Sequence, residues 1–276
     1  MLMIFHCHVR ELAYRNCATT VFKRRIATTC GSPSVITDKT NKAKYCYPIR
    51  PHVNVVAVVP AYNERSTIGS VIDGTSQYVD EVVVVDDGST DDTADIARDH
   101  GATVVTHVLN TGVGGAVRTG YRYAIRNGYD YVAQIDGDGQ HDPAYLPDLL
   151  AVAEDNDMII GSRYLNESIE DYSLIRRSGI KFFTSVVNTL GGVDITDVTS
   201  GFRIYRVSML EEILHRSNKH WAVEQTLQAA NSDYRIRELS IEMPTREEGA
   251  SQFDIETFIM YPIRMADTIV RVLMFR

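Results

Sequence analysis

From Val53 onward the chain repeats one unit: a short run of β-branched residues, polar residues at a joint, then a longer helix-compatible stretch. Val53-Asn-Val-Val-Ala-Val-Val-Pro60, Glu81-Val-Val-Val-Val-Asp86, Ala102 to His107, the run ending at Ile135, and Met158-Ile-Ile160 read as strands. Their near-continuous apolar character fits strands covered on both faces. Helices are expected from Asn63 toward Tyr78, from Ser89-Thr-Asp-Asp-Thr93 to Gly101, from Gly114 to Asn127, and from Pro143. The hydroxyl and carboxylate oxygens at Ser89–Thr93 suit free N–H groups at a helix start, and Gly128 suits a helix end. Strands alternating with helices predict an α/β fold, a mainly parallel sheet covered by helices on both faces.

After Gly161 the pattern changes. Residues Ser173 to Leu190 read as a helix carrying Phe182, Phe183, Val186, Val187 and Leu190 on one side. Ser217 to Ala230 reads as another, Tyr234 to Pro244 as a strand, and Thr257 to Phe275 as a C-terminal amphipathic helix. Nothing approaches the ~20 uninterrupted apolar residues of a membrane span. The helices at 173–190 and 257–275 suit either a membrane surface or core packing.

Charge divides the chain. Residues 1–52 carry nine Lys/Arg against two Asp/Glu, about +7, while the whole chain is −8, leaving about −15 for residues 53–276. An acidic body argues against nucleic acid as a partner. All four cysteines (Cys7, Cys17, Cys30, Cys46) lie in the leader, at spacings that match no zinc pattern. The expected organisation is a disordered leader or early start at 1–52, a catalytic domain at 53–252 and the amphipathic helix at 253–276.

The chemistry concentrates at strand ends. Tyr131-Val-Ala-Gln-Ile-Asp-Gly-Asp-Gly-Gln-His-Asp-Pro143 is a strand ending in two carboxylates, Asp136 and Asp138, spaced i and i+2. Such residues point the same way and repel unless a cation sits between them. Hard ions such as Mg2+ or Mn2+ use one or two carboxylates plus substrate phosphates. Pro60-Ala-Tyr-Asn-Glu64 and Asp86-Asp-Gly-Ser89 end two further strands, and ligands of open parallel sheets bind at these carboxyl ends. An aromatic face, an acid and a metal pair together suit a nucleotide diphosphate. Gly112-Val-Gly-Gly-Ala-Val117 is not a dinucleotide fingerprint, because Val117 stands at its last position and the run does not directly follow the first strand. Gly115 to Gly120 has P-loop spacing, but Tyr121-Arg122 follows in place of Lys-Ser/Thr. His141 reads as a loop or outer-layer residue, with metal ligation as the second reading, and Asn166-Glu-Ser168 as a sequon by pattern alone.

Pro60-Ala-Tyr-Asn-Glu, Val85-Asp-Asp-Gly-Ser, Asp136-Gly-Asp-Gly-Gln-His-Asp-Pro, Gly161-Ser-Arg-Tyr and Thr199-Ser-Gly-Phe-Arg-Ile-Tyr-Arg206, in this order, resemble family 2 glycosyltransferases. The resemblance is to the dolichyl-phosphate mannosyltransferase (polyprenyl-phosphate hexose synthase) group and covers roughly residues 53 to 252. It implies a GT-A fold and an inverting hexosyl transfer from a nucleotide sugar (GDP-mannose, UDP-glucose or UDP-GlcNAc) to dolichyl or polyprenyl phosphate, for protein N-glycosylation. It also implies a Mg2+ or Mn2+ cofactor and a peripheral place on the cytoplasmic face of a membrane. By resemblance, Pro60, Tyr62, Glu64, Val85 and Asp87 hold the nucleoside. Asp136 and Asp138 hold metal and diphosphate, with Gly137 where the family often has Ala, and Gln140 follows in that loop. Arg163 and Arg246 match phosphate-binding arginines and, with Asp138, are the implied catalytic residues. The run Arg246-Glu-Glu-Gly-Ala-Ser-Gln252 departs from the family, placing Gln252 where a Lys is usual and adding Glu247 and Glu248.

Arg176, Arg177 and Arg203 are further candidates for the acceptor phosphate, since a guanidinium fork suits phosphate oxygens. Alternatively, Asp197 and Arg203 pair structurally within their turn. An acceptor phosphate is already anionic at neutral pH and needs positioning more than deprotonation, so no general base is expected. Two other readings compete. A sugar-nucleotide nucleotidyltransferase would open with a Gly-rich, basic strand-end loop, unlike Pro60-Ala-Tyr-Asn-Glu64. A catalytically inactive nucleotide-sugar-binding subunit would fit the Gln252 departure. Deletion of the leader to near Pro51 is expected to leave the protein folded and active; a circular dichroism spectrum showing loss of the fold overturns that reading.

Overall fold

The structure is a computed structural model. It describes residues 53–165 and 180–243, the helix backbone from 174, residues 266, 268–272 and 274, and strands at 34–37 and 43–46. The chain divides into two units, Met1–Pro51 and His52–Arg276. In the first, β1 (Ser34–Thr37) pairs antiparallel with β2 (Ala43–Cys46). The remainder of the leader, the Asn166 sequon and the run from Arg246 to Gln252 lie outside the described residues.

The second unit is built on a seven-stranded sheet. Its strands are β3 (Val55–Ala61), β4 (Glu81–Asp86), β5 (Thr103–Thr106), β6 (Tyr131–Gln134), β7 (Met158–Ser162), β8 (Arg203–Arg206) and β9 (Ile236–Ser240). The order is β5-β4-β3-β6-β8-β7-β9. β3 lies parallel to β4 and β6, β4 to β5, and β7 to β9. Every residue of β3 is buried, as its unbroken apolar run requires. Val56 and Val58 face one core; Val55, Ala57 and Val59 face the other. This is the period of two expected of a strand, here apolar on both sides.

Helices cover both faces. On one lie α1 (Ile68–Thr75), α2 (Thr93–Asp99) and α4 (Leu146–Ala151), contributing Ile68, Val71, Ile72, Ala97, Leu146 and Leu149. On the other lie α3 (Val113–Asn127), α5 (Leu174–Gly191), α6 (Val207–Glu212) and α7 (Trp221–Asn231). α3 ends at Gly128, whose left-handed φ of 70° closes the helix. Phe183 and Val187 of α5 enter the core, while Phe182 is 61% exposed. Among the described residues no helix is long and apolar enough to cross a membrane.

Two sequence expectations are corrected. The first helix begins at Ile68 rather than Asn63, because Asn63 adopts φ 57° and ties the loop to its neighbour. β8 and α6 replace an expected turn. β8 runs antiparallel to both β6 and β7. Its four residues, Arg-Ile-Tyr-Arg, begin and end on charges and so hide the apolar pattern. Ile204 and Tyr205 are buried, and Arg206 reaches Asp157 at 3.1 Å.

Two predictions arise from this packing. α3 crosses β3 at Gly120, where a Cβ would collide with Val58 Cγ1. Gly120→Ala is expected to destabilise the fold by about 1–3 kcal/mol, read as a lower urea midpoint at unchanged slope. The second concerns His215, buried against Tyr121 and Trp221, with Nε2–H donating to Gly114 O at 2.7 Å. Burial pushes its imidazole down to about 4 from 6.5, helped by the cations Arg118, Arg122 and Arg203. The unfolded chain therefore binds this proton first. Its contribution is full above pH 6.5 and is lost as pH falls toward about 4, by roughly 3 kcal/mol. His215→Gln, which keeps a donor for Gly114, is expected to flatten the urea midpoint across that window.

Candidate active site

The three motif-bearing strand ends are neighbours. Pro60 stands in register with Val85, and Ala61 with Asp86. Asp87 N–H donates to Ala61 O at 2.8 Å, and Gly137 N–H to Pro60 O at 3.3 Å. The sheet thus brings together Pro60, Glu64, Val85, Asp87 and the Asp136–Gln140 loop.

Side chains stitch these ends further. Asn63 N–H donates to Ser89 Oγ at 2.9 Å, and Thr90 N–H to Asn63 Oδ1 at 2.8 Å. Glu64 N–H donates to Thr93 Oγ1, and Thr67 Oγ1–H to Gly137 O at 2.8 Å. Tyr62 is 38% exposed at this edge, with Glu64 half-buried beside it. Pro60 and Val85 are buried, so Val85 meets a ligand only through its main chain.

Asp87 has a different surrounding from a ligand-facing acid. Its carboxylate accepts from Thr111 N–H, Thr111 Oγ1–H, Gly112 N–H at 2.7 Å and His107 Nδ1–H at 2.6 Å. Burial raises its carboxyl, but these bonds outweigh it and hold the group below the usual range. Asp87 fixes the 107–112 loop as an ionised anchor.

At the end of β6, the Asp136 side chain is 35% exposed and Asp138 is half-buried. Asp138 Oδ1 accepts from Gln140 N–H at 3.1 Å. Asp136 N–H donates to His141 Nδ1 at 3.1 Å, which fixes the neutral tautomer with its proton on Nε2. His141 stacks on Phe202 at 5.1 Å, and burial lowers its pKa to about 4. It braces the loop from below, in agreement with an outer-layer role. A Cβ at Gly201 would stand 2.6 Å from Asp136 Oδ2, so only glycine leaves the carboxylate its room.

Among the described residues no cluster of three His, Cys, Asp or Glu forms an all-protein metal cage. Two half-exposed carboxylates at the sheet edge fit a Mg2+ or Mn2+ ion completed by substrate phosphates. Asp136 also borders a cavity of about 210 Å³, with Thr199 and Gly201 on one side and the start of α7 on the other.

Arg203 and Asp197 depart from their sequence reading. Arg163, after β7, forks onto Asp197 through Nε at 2.7 Å and Nη2 at 2.9 Å, and Nη2 also reaches Thr199 Oγ1. Burial raises the Asp197 carboxyl, but the Arg163 charge outweighs it and holds the group low. Glu238 of β9 accepts from Asp197 N–H and Thr196 N–H, locking this loop from behind. Asp197 thus pairs with Arg163, correcting the expected pairing with Arg203. Arg203 is fully buried, which corrects its assignment to an acceptor phosphate. It donates to Ser200 O, Val198 O, Ala222 O and Thr226 Oγ1, and lies over the Trp221 ring at 5.4 Å. The side chains of Arg176 and Arg177, within α5, and all of Arg246 lie outside the described residues.

Sequence reading missed Thr111, Glu238 and the Lys219–Trp221 corner. A signal existed for the last: Trp221 is the chain's one tryptophan, beside a lysine and a histidine.

Comparison with known proteins agrees with this architecture. The family described as glycosyl transferase family 2 matches residues 56–214. An undecaprenyl-phosphate mannosyltransferase from Micrococcus luteus is 31% identical over 72% of this chain and 87% of its own length. A dolichyl-phosphate hexose transferase from Haloferax volcanii is 31% identical over 73% and 87%. The crystal structure of glucosyl-3-phosphoglycerate synthase from Mycobacterium tuberculosis, with Mn2+, UDP and phosphoglyceric acid, superposes with a TM-score of 0.64. It shares 20% identity, over 80% of this chain and 78% of that one. By its motifs, its sheet and the extent of these matches, the chain belongs to glycosyl transferase family 2 and is a glycosyltransferase of the GT-A fold.

Proposed function

We propose that the protein moves a hexose from a nucleotide sugar to dolichyl or polyprenyl phosphate, supplying lipid-linked sugar for protein N-glycosylation. The carrying observation is the Asp136–Asp138 pair, main-chain bonded to the Pro60 strand end and one loop from Glu64. Two relatives at 31% identity bear names that state transfer to or on a polyprenyl-type phosphate, and both align over most of their length.

In this reading Tyr62 and Glu64 face the nucleoside, with the main chain at Pro60 and Val85 and the loop that Asp87 anchors. Asp136 and Asp138, with the Gln140 loop beside them, would hold Mg2+ or Mn2+ and the diphosphate. The bound ion supplies Lewis-acid stabilisation of charge on the departing nucleoside diphosphate. An oxygen of the acceptor phosphate attacks the anomeric carbon, the bond from that carbon to the diphosphate breaks, and the configuration inverts. The acceptor is ionised already, so the site needs no proton acceptor, and Asp136 and Asp138 act as metal holders. Arg163 shapes the pocket through its fork to Asp197 and Thr199. Contact with the acceptor phosphate falls to Arg176, Arg177 and Arg246. A nucleotide-sugar donor and a lipid acceptor together suit an enzyme peripheral on the cytoplasmic face of a membrane.

The test is transfer of radiolabel into a lipid extract, from a panel of GDP-mannose, UDP-glucose and UDP-GlcNAc, with Mg2+ or Mn2+ and a prenyl phosphate. Asp138→Ala is expected to keep its circular dichroism spectrum and lose about a hundredfold or more in turnover. Chelation of the metal is expected to do the same to the unsubstituted enzyme. Retained metal-dependent turnover in Asp138→Ala sinks the site; pyrophosphate release in place of lipid labelling points to a nucleotidyltransferase.

A further inference from the structure

The cavity beside Asp136 has a wall that neither the motifs nor the proposed chemistry uses. Lys219, His220 and Trp221 form it at the start of α7, facing Thr199 and Gly201. We propose that this wall reads the transferred sugar, with Lys219 and His220 as specificity-determining residues and Arg203 as the positioning residue behind them. The proposal rests on the nucleotide-sugar reading above and adds which residues contact the sugar.

Position, size and chemistry support it. Asp136 marks the diphosphate corner, and the sugar hangs from the distal phosphate, so the space next to Asp136 is where it lies. The cavity, about 210 Å³, falls below the roughly 300–1,000 Å³ of sites that enclose a whole drug-sized ligand. It has room for one pyranose ring. Its lining combines an ammonium, an imidazole, a hydroxyl, a carboxylate and an indole with the aliphatic Val113, Ala222 and Val223. These match the hydroxyl oxygens and C–H faces of a pyranose.

The wall is also held rigid, as a discriminating surface must be. Arg203 grips it from beneath, bonding Ala222 O and lying over Trp221, while other donors hold Val198 O and Ser200 O on the facing loop. One buried guanidinium therefore sets the distance between the cavity's two sides. From the other direction, Arg118 bonds Arg216 O and Asn218 Oδ1, and Gly114 N–H bonds Asn218 O at 2.9 Å. Glu224 receives Arg216 N–H and Ser217 N–H. Helix stability does not call for Lys219, since a cation beside a helix N-terminus opposes the dipole.

The test uses the full-length protein with Mg2+. Trp221 is the sole tryptophan, so intrinsic emission reports from the cavity itself. Dissociation constants are measured for UDP and GDP, and for UDP-glucose, UDP-GlcNAc and GDP-mannose. Lys219→Met and His220→Gln are expected to weaken the bound sugar nucleotide about tenfold, the worth of one charged or buried hydrogen bond, and to leave its nucleoside diphosphate within about twofold. Arg203→Lys, which keeps the charge and loses the fork, is expected to show the same split. Equal loss for both ligands assigns the wall to the diphosphate and overturns the proposal. So does no loss for either, or a loss confined to prenyl phosphate. The readout needs no lipid acceptor, so failure of transfer to polyprenyl phosphate is a separate result.

Discussion

The site depends on β3 being buried along its whole length between two parallel neighbours. Parallel pairing puts the carboxyl ends of β4, β3 and β6 at one edge, and in-register pairing of Pro60 with Val85 sets their relative height. The polar residues that follow each strand then meet without a long-range search. Main-chain bonds from Asp87 to Ala61 and from Gly137 to Pro60 carry the order of the sheet into the loops. Such a site is built on rigid elements, with variation left to the loops beyond them. The cost is a core tolerant of little change, as the contact of Gly120 with Val58 illustrates.

A second layer of order comes from buried charge. Asp197 and Arg163 are both removed from water, which is unfavourable unless geometry is close. Here the fork is bidentate, Thr199 takes a further donor, and Glu238 binds the backbone of the same loop. Arg203 is the harder case, since among the described residues no carboxylate stands in ion-pair contact with it. Carbonyl oxygens of Val198, Ser200 and Ala222, the Thr226 hydroxyl and the Trp221 ring replace its hydration. Those acceptors belong to two segments remote in sequence, so the guanidinium is satisfied only when both are in place. Its burial thus couples the Thr199–Gly201 loop to the start of α7.

These relations separate what was legible in the sequence from what was not. β3, β4, β5 and β7 were legible because each carries a compact β-branched run between polar joints, and β6 because the apolar Tyr-Val-Ala run leads into the carboxylate loop. The Asp136–Asp138 pair stood out by its motif, but β6 ends at Gln134, so the two carboxylates lie in the loop beyond the strand and outside its two-residue alternation. β8 was not, because Arg203 and Arg206 frame only Ile204 and Tyr205, and the burial of Arg203 is decided by distant carbonyls. Asp87 shows a subtler limit. A motif gives its place at the ligand edge, while the partners that occupy its oxygens, Thr111, Gly112 and His107, come from a loop twenty residues on. The partner of Asp197 was misread for the same reason: Arg163 and Arg203 are equivalent in sequence, and only the antiparallel insertion of β8 turns one toward the aspartate and the other into the core.

The acidic body raises a final question, since the donor and acceptor of the proposed reaction are both anions. Net charge acts at long range and is screened within about 10 Å at ordinary ionic strength, so it bears on encounter more than on the bound state. What a bound diphosphate meets is local. Half-exposed Asp136 and Asp138 would repel it, and a divalent ion held by them would reverse that sign. Beyond the ion, positive charge is held in fixed and partly dehydrated positions, at Arg163 and Arg203, with Lys219 at the cavity rim. Buried cations act through a lower dielectric than surface ones and need no reorganisation as the reaction proceeds. In the proposed reaction the carboxylate pair and the buried arginines are therefore complementary: the former would hold the metal, and the latter fix the shape and field of the pocket beside it.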